Sequence, residues 1–456
     1  MVNGFKRPWS LPRWEASACV IALVVSLVVS EYLVPRKVVE LSNGELVYYN
    51  YIEGSIPLYL ALIAVEFIIL HIHKRRLPSS TESDWIPESG YYEAADCWSS
   101  VAAGAMDVLL SIMVIERFTL KEYVYDYIHD NYAIGNLDLT WAPQWMKMLI
   151  FGSLIELCYY SFHRMSHEIG FIWAMGHANH HSSEHFNFST ALRQGYLQQA
   201  VSWVFYLPLA VLGVPTDVSM TYRTWNIMYQ FWIHTSIVGP LPWPLEEIMM
   251  TPSNHRIHHD RRLHKNFGGT LVVYDKLFGT YLKEPAQAAC VYGWAVPSKS
   301  WVDSVFQLQA FSRQSRSWWK GPGYYTTTAA RVCPPAPRLA RLTRSTTASV
   351  PLKIYIAVQF LVSTLCGLLL ESSDRNMVLA AYSLFSYIAQ GFLFDGNATY
   401  EVGRCVLFSF VGLFYGGPYG ALCSVWSMVS LGCIHAIVYG SGRPKIASEH
   451  RSSVAQ

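Results

Sequence analysis

Long apolar runs separated by short polar segments dominate this chain, and many approach the length of about 20 residues that a helix needs to cross a bilayer. Eight of these runs lie at residues 16–34, 56–73, 97–115, 145–162, 351–370, 377–394, 405–415 and 419–439. Two more, 196–214 and 219–238, meet at Gly213-Val214-Pro215 and predict a helical hairpin that enters the membrane and returns. The pattern predicts an all-α integral membrane protein with a multi-span helical bundle.

Polar segments between the runs divide the chain into four predicted parts. They are 1–96 (membrane spans and a cytosolic link), 97–303 (a core), 304–350 (a linker) and 351–456 (a C-terminal membrane bundle and tail). The linker is basic and rich in proline and threonine, which is typical of contact with anionic lipid headgroups or of solvated disorder. Its cations are Arg313, Arg316, Lys320, Arg331, Arg338, Arg341 and Arg344.

The charges flanking the runs predict an orientation. Lys74-Arg75-Arg76 follows the run 56–73, and positive flanks favour the cytosolic side. Counting spans from there places the loop 116–140, which is net acidic, in the lumen. The end of the run 145–162 then returns to the cytosol, with residues 266–281 as a cytosolic cap.

Composition supports a membrane protein and excludes several other classes. The chain is 52% hydrophobic and 14% charged, with a mean hydropathy of +0.20. Its net charge is +2, from 34 basic and 32 acidic residues, so no nucleic-acid partner is indicated. The nine cysteines are scattered without a CxxC pair, which argues against a zinc ribbon or a disulfide scaffold.

Histidines carry the chemical signal, because eight of them fall in three spaced boxes. Residues at i, i+3 and i+4 of a helix lie close together on its surface, so each box is expected to direct its imidazoles at one spot. The boxes are His163 and His167; His177, His180 and His181; and His255, His258 and His259. Imidazole is a common metal ligand, whereas isolated histidines elsewhere need no such explanation.

Eight imidazoles without a nearby cysteine exceed what one four-coordinate zinc ion uses, so two metal ions are predicted. His234 lies in an apolar helix four residues after Gln230 and is a candidate ninth ligand. The alternative is that His234 only hydrogen-bonds a neighbouring helix. Ionisable groups within membrane segments are usually functional, which favours the ligand.

These boxes resemble the membrane fatty acid hydroxylase superfamily of histidine-box di-iron oxygenases. Segments between residues 84 and 323 are similar to the branch of that superfamily that cleaves alkyl ether lipids. They are HHSSEHFNFSTALRQ (180–194), QFWIHT (230–235), KNFGGTLVVYDKLFGTY (265–281) and WKGPG (319–323). The last four runs are similar in hydropathy only.

The resemblance implies a non-haem di-iron enzyme of the endoplasmic reticulum membrane that uses dioxygen (O2) and tetrahydrobiopterin. It would hydroxylate the ether-linked carbon of an alkylglycerol lipid, giving a hemiacetal that separates into glycerol and a fatty aldehyde. Relatives carry an acidic residue where Glu168 stands, which makes Glu168 a candidate for orienting a ligand imidazole. Glu184 and Asn187 are candidate contacts for the lipid head. The resemblance supplies no pterin-binding residues.

Two other functions remain open from the sequence. A fatty acid or sterol hydroxylase or desaturase, reduced by a cytochrome-type carrier, would share every metal ligand. A metal or haem transporter would instead place its ligands near the bilayer midplane on broken helices.

Overall fold

The computed structural model of the protein describes residues 37–40, 47–76, 88–110, 121–137, 139–285, 290–294, 298, 300–302, 310, 312, 319, 348–368, 377–415 and 417–438. The predicted run 16–34 and the cations of the predicted linker lie outside the described residues.

Helices make up nearly all of the regular secondary structure in the described residues. The longer ones are α1 (Tyr51–Arg76), α2 (Ala94–Leu110), α3 (Lys121–Tyr132), α4 (Gln144–Glu168), α5 (Thr216–Trp232), α6 (Pro252–His259), α7 (Val350–Leu368), α8 (Met377–Phe394), α9 (Thr399–Tyr415) and α10 (Gly417–Val438). Shorter segments are Glu88–Gly90, Gly170–Ile172, Trp173–His177, Ala178–His180, Phe188–Leu192, Gln199–Ser202, Trp203–Tyr206, Leu207–Val211, Leu245–Ile248 and Val273–Leu277. One antiparallel hairpin, β1 (Lys37–Glu40) with β2 (Val47–Asn50), precedes α1. The predicted all-α membrane class is confirmed, with this hairpin and an isolated bridge between Met249 and Leu271 as the β structure of the described part.

Three described helices are long and apolar enough to cross a membrane: Gly54–Lys74 in α1, Val350–Gly367 in α7 and Gly420–Val438 in α10. They coincide with the predicted runs 56–73, 351–370 and 419–439. Helices α2 and α4 occupy two other predicted runs without meeting this criterion. Each of them buries a carboxylate inside the protein, Asp96 in α2 and Glu156 in α4.

The predicted hairpin turns where expected, but its first limb differs from the prediction. Gly213 adopts a φ of 78° and Pro215 begins α5, so the joint is confirmed. The first limb is an apolar helical stretch, Gln199–Val211, that is shorter than the predicted run 196–214 and contains a 3-10 segment, Trp203–Tyr206. Pro208 at the start of the last segment lacks a backbone N–H, which limits a continuous helix there.

Helix α5 lies between α1 and α4 and links the main apolar clusters. Tyr222 of α5 packs against Phe151 of α4 at 5.5 Å between ring centroids. On the other side, Phe231 stacks on Tyr59 of α1 at 4.1 Å. The carboxyl-terminal ends of α4 and α5 therefore reach the same region of the protein, where the histidine boxes lie.

The C-terminal bundle packs directly on the core through α2. Trp98 lies in one buried cluster with Tyr355 of α7 and Phe394 of α8. Its indole Nε1 also donates to Oε1 of Gln390 at 3.1 Å. Helix α2 consequently has the bundle on one face and, as described below, the second histidine box on another.

Candidate metal centre

The first box lies on one face near the end of α4. Pro143 precedes this helix, which contains no internal proline over its 25 residues. His163 and His167 are four apart and both are buried. The helix continues through both histidines to Glu168, so the box is part of α4 and does not follow its end.

The second box begins on a π-helical turn, Trp173–His177, and continues through Ala178–His180. This turn approaches the following chain closely at Gly176. A Cβ atom added there would lie 2.6 Å from Cβ of Gln198 and 2.9 Å from the carbonyl oxygen of Gly195. Glycine is therefore required by the close approach.

Helix α6 presents the third box and has a well-formed start. The Thr251 side chain accepts a hydrogen bond from the backbone N–H of Asn254, and Pro252 occupies the first turn. Both are typical helix-start features. All eight residues of this helix are buried, including its three histidines.

The structure brings the eight box histidines and His234 into two clusters. One consists of His163, His167, His177, His181 and His258; the other consists of His180, His234, His255 and His259. Within each cluster, the potential ligand atoms lie within 4.8 Å of one another. His234 lies two residues beyond the end of α5, so the prediction that it lies within an apolar helix is wrong. Its Nε2 lies 3.2 Å from that of His180 and 3.0 Å from that of His255.

The expectation that each box addresses one spot is wrong for the second and third boxes. His177 and His181 join the first cluster while His180 joins the second, and the third box divides in the same way. On a helix with 3.6 residues per turn, i+4 is rotated by about +40° and i+3 by about −60°. The i+4 pair therefore stays together, and the i+3 residue reaches the neighbouring cluster.

The Nε2 atoms converge at ligand–ligand distances. His177 Nε2 lies 2.9 Å from that of His163, 3.0 Å from that of His167 and 3.1 Å from that of His181. With metal–nitrogen bonds of about 2.1 Å, ligands at right angles are about 3.0 Å apart. The spacing fits an imidazole-bound metal ion.

The opposite nitrogen fixes the tautomer of four histidines. A carbonyl oxygen can only accept, so an Nδ1 beside it carries the hydrogen and leaves a lone pair on Nε2. The donor–acceptor pairs are His163 with Phe267 O at 2.8 Å, His258 with Lys265 O at 3.0 Å, His180 with Arg193 O at 3.1 Å and His234 with Gln230 O at 2.8 Å. Each cluster contains two such histidines. Their Nε2 atoms carry no hydrogen, so they can accept a hydrogen bond or bind a metal ion but cannot donate.

Burial keeps the imidazoles neutral. None of the nine histidines is more than 5% exposed. Loss of hydration lowers the pKa of His181 and His259 well below the usual value, and lowers that of His180 to about 4. Neutral imidazole is the metal-binding form, so the donor set suits a metal at neutral pH.

The other predicted site residues contact the protein rather than the clusters. Glu168 accepts a hydrogen bond from Nε of Arg164 at 2.8 Å, one turn earlier on α4. The backbone N–H of Glu184 donates to Asp96 at 3.3 Å. Asn187 is buried, and its side-chain oxygen accepts from Ser189 at the start of Phe188–Leu192.

Several residues around the clusters escaped the sequence reasoning. Nδ1 of His264 lies 2.9 Å from Nδ1 of His167, although His264 belongs to no box. Glu156 is buried and accepts from Gly269 N, Thr270 N and Asn226 Nδ2 at 2.6, 2.9 and 2.8 Å. Asp275 accepts from the backbone N–H groups of Phe267 and Gly268 at 2.7 and 2.8 Å. The only sequence signal for the two acids was a carboxylate within a largely apolar segment.

Comparison with known proteins places this arrangement in a family. The fatty acid hydroxylase family profile matches residues 148–280, which span all three boxes. An alkylglycerol monooxygenase of Danio rerio is 33% identical over 395 residues, covering 78% of this chain and 81% of the relative. The Homo sapiens alkylglycerol monooxygenase is 32% identical over 387 residues, covering 79% and 82%.

A more distant relative has a different lipid in its name. An ornithine lipid hydroxylase of Rhizobium tropici is 30% identical over 191 residues, covering 39% of this chain and 54% of the relative. No solved structure matches the chain significantly. Because the first two relatives align over about four-fifths of both chains, and the family profile spans all three boxes, this chain belongs to the alkylglycerol monooxygenase family of oxidoreductases.

Proposed function

We propose that this lipid monooxygenase is a di-iron enzyme that hydroxylates the ether-linked carbon of alkylglycerol lipids. One oxygen atom of O2 enters the C–H bond and the other leaves as water, with tetrahydrobiopterin giving the two electrons required. The resulting hemiacetal separates into a fatty aldehyde and glycerol or a lyso-lipid head. The observation that carries the proposal is the pair of buried clusters, five and four imidazoles with converging Nε2 atoms.

Each cluster would hold one iron ion. His163, His167, His177, His181 and His258 would bind one, and His180, His234, His255 and His259 the other. Iron supplies the redox chemistry that activates dioxygen, which closed-shell zinc cannot do. The all-imidazole donor set, without a cysteine in either cluster, is compatible with iron.

The chain would orient the ligands and exclude water. Backbone carbonyls hold four imidazoles in the metal-binding tautomer, as described above. Aromatic rings cover the clusters: Phe186 lies 5.1 Å from His259, and Phe267 lies 5.3 Å from His167, between ring centroids. A dry, apolar surrounding suits the reacting carbon of a lipid and protects the reaction from side reactions with water.

Three acidic or polar residues keep proposed supporting roles. Glu168 would act on the site through Arg164 and α4, since its carboxylate accepts a hydrogen bond from the Arg164 guanidinium. Glu184 and Asn187 flank the second box and would contact the lipid head. Asn187 uses its amide oxygen within the fold, so its contribution would come from the amide nitrogen or from the backbone that it shapes.

The membrane setting supports a lipid substrate. Three apolar helices of membrane-spanning length accompany the clusters, so the chain is a membrane protein. We further propose the endoplasmic reticulum membrane, with the clusters on its cytosolic side. The basic end of α1, at Lys74, supports that orientation through the positive-inside bias.

A second candidate function is hydroxylation of another lipid by the same clusters. The similarity to an ornithine lipid hydroxylase favours it, because the name of that relative gives a lipid with a different head group. A fatty acid or sterol substrate with a cytochrome-type electron carrier belongs to this candidate as well. The transporter alternative has no support, since the relatives are oxidoreductases.

A product assay distinguishes the candidates. Purified protein would receive an alkylglycerol or an acylglycerol of equal chain length, each with and without tetrahydrobiopterin. The proposal predicts fatty aldehyde only from the ether lipid and only with the pterin. Aldehyde-free hydroxylation of the acyl lipid, or full activity with a cytochrome-type donor alone, would favour the second candidate.

A further inference from the structure

One peptide unit connects a buried carboxylate to a proposed metal ligand. The carbonyl oxygen of Phe267 accepts from Nδ1 of His163 at 2.8 Å. The N–H of Gly268, on the other side of the same planar peptide, donates to Oδ2 of Asp275 at 2.8 Å. Hydrogen bonds in series polarise one another, so the carboxylate strengthens the carbonyl as an acceptor for His163.

The two oxygens of Asp275 have different partners. Oδ1 accepts from the N–H of Phe267 and from Oγ1 of Thr280, both at 2.7 Å. Oδ2 accepts from Gly268. The side chain is fully buried, so water does not compete for these bonds. The two oxygens can therefore be tested separately.

The loop between Phe267 and Thr270 leaves little room for the peptide to move. A Cβ atom at Gly268 would overlap the carbonyl oxygen of Leu271, and one at Gly269 would lie 2.9 Å from Nε2 of Gln230. Glu156 of α4 holds the next two N–H groups, those of Gly269 and Thr270, at 2.6 and 2.9 Å. Four successive backbone N–H groups thus end on two buried carboxylates.

We propose that Asp275 is a positioning residue that orients His163 in the five-histidine cluster through the Phe267–Gly268 peptide. This inference rests on the proposed metal-binding role of the cluster. Metal-binding histidines commonly donate their second nitrogen to a carboxylate or a carbonyl, which fixes the ring and raises its basicity. Here the peptide extends that arrangement, so a carboxylate acts on a ring that it does not touch.

Asp275→Asn breaks the link selectively. The amide oxygen takes the Oδ1 position, because two donors, Phe267 N–H and Thr280 Oγ1, point there. The amide nitrogen then faces the N–H of Gly268, and two donors cannot bond. Thr280→Val is the matched control, since it removes one donor to Oδ1 and leaves the Oδ2 bond intact.

The experiment loads each full-length protein with ferrous iron in detergent. It measures the rate of iron release to a chelator, together with the near-infrared magnetic circular dichroism of the bound iron. We expect Asp275→Asn to release one of two irons about 10-fold faster, with a changed ligand-field spectrum. Thr280→Val should keep the wild-type spectrum and release rate even where its Tm is lower.

The outcomes separate this inference from the proposed function. If Asp275→Asn and Thr280→Val have the same iron-release rate and spectrum, whether both match wild type or both are altered, the link between Asp275 and His163 is wrong. The proposed metal centre would still hold in that case, because the wild-type protein binds iron. A wild-type protein that takes up no iron would overturn the proposed metal centre and the inference with it. If Asp275→Asn does not fold, Asp275→Glu replaces it, because the longer glutamate side chain displaces the carboxylate from the N–H of Gly268. We expect the same faster iron release and the same spectral change from Asp275→Glu. Wild-type release and spectrum in that variant would count against the link.

Discussion

Nη2 of Arg193 lies 2.9 Å from Oδ1 of Asp96, and both side chains are fully buried. The backbone carbonyl of Arg193 accepts from Nδ1 of His180, so the ion pair lies directly behind a proposed metal ligand. The guanidinium also donates to Ser100 and to Ser182 at 3.0 and 3.1 Å. The Arg193–Asp96 pair therefore connects the second box, through His180, to Asp96 of α2.

Removing one partner of this pair should destabilise the protein strongly. Asp96→Asn leaves a buried guanidinium without its counter-charge, which typically costs about 3–5 kcal/mol. We expect a lower Tm in detergent and loss of metal from the four-histidine cluster. Glu247→Gln is the control: its carboxylate pairs with Lys276 and lies 3.9 Å from Lys283, and all three side chains are at least a third exposed, so the loss should stay below about 1 kcal/mol. Equal Tm values for the two variants would contradict a supporting role for the pair.

Single-histidine variants should remove one metal ion at a time. His177→Ala takes the atom on which the five-histidine cluster converges, and His234→Ala takes one of the four ligands of the other cluster. We expect each variant to retain about one iron ion per chain while losing turnover, because both clusters are needed for a di-iron site. His129→Ala should keep wild-type iron and turnover, since His129 contacts Asp130 on the surface of α3. Full iron content in His234→Ala would remove this residue from the ligand set.

Acid should destabilise the metal-free protein. Burial lowers the pKa of His180 and His264 to about 4, below the value of about 6.5 in the unfolded chain. The unfolded state then binds more protons, so stability is full above pH 6.5 and is lost as the pH falls towards 4, by about 3 kcal/mol for each group. Thermal unfolding of the apo-protein at pH 7.5, 6 and 5 measures this. A Tm that is constant over that range would show that these rings are hydrated.

Glu168 and Arg164 should act together. If the carboxylate reaches the site through Arg164, then Glu168→Gln and Arg164→Met should reduce turnover by similar factors, about 10-fold, without changing the iron content. The control Glu122→Gln disrupts a pair with Lys121 on α3 and should leave turnover unchanged. A large loss in Glu168→Gln with none in Arg164→Met would indicate that Glu168 acts on the site directly.

The sequence predicts the chemistry of the site better than its geometry. The i, i+3, i+4 spacing identified eight of the nine clustered histidines, and the occurrence of an ionisable residue in an apolar run of the sequence identified His234. Hydropathy predicted the helical membrane class and the runs that became α1, α7 and α10. These signals are local in sequence and are therefore visible without a structure.

Which cluster each part of the second and third boxes joins was not predictable from spacing alone. It depends on how α4, α6 and the π-helical turn Trp173–His177 come together, and on the kink of that turn at Gly176, directly before His177. The partners of Asp275, Glu156 and Arg193 are backbone groups or residues far away along the chain. No residue type in the sequence marks such contacts, so only the fold reveals them.

The central claim, one iron in each histidine cluster, is tested most directly by counting and locating the metal. Protein purified in detergent would be analysed for iron and zinc per chain, and crystals would be measured at the iron absorption edge. The account predicts two irons per chain, with one anomalous peak among His163, His177 and His258 and the other among His180, His234 and His255. A single tightly bound zinc ion, or metal located outside both clusters, would contradict it.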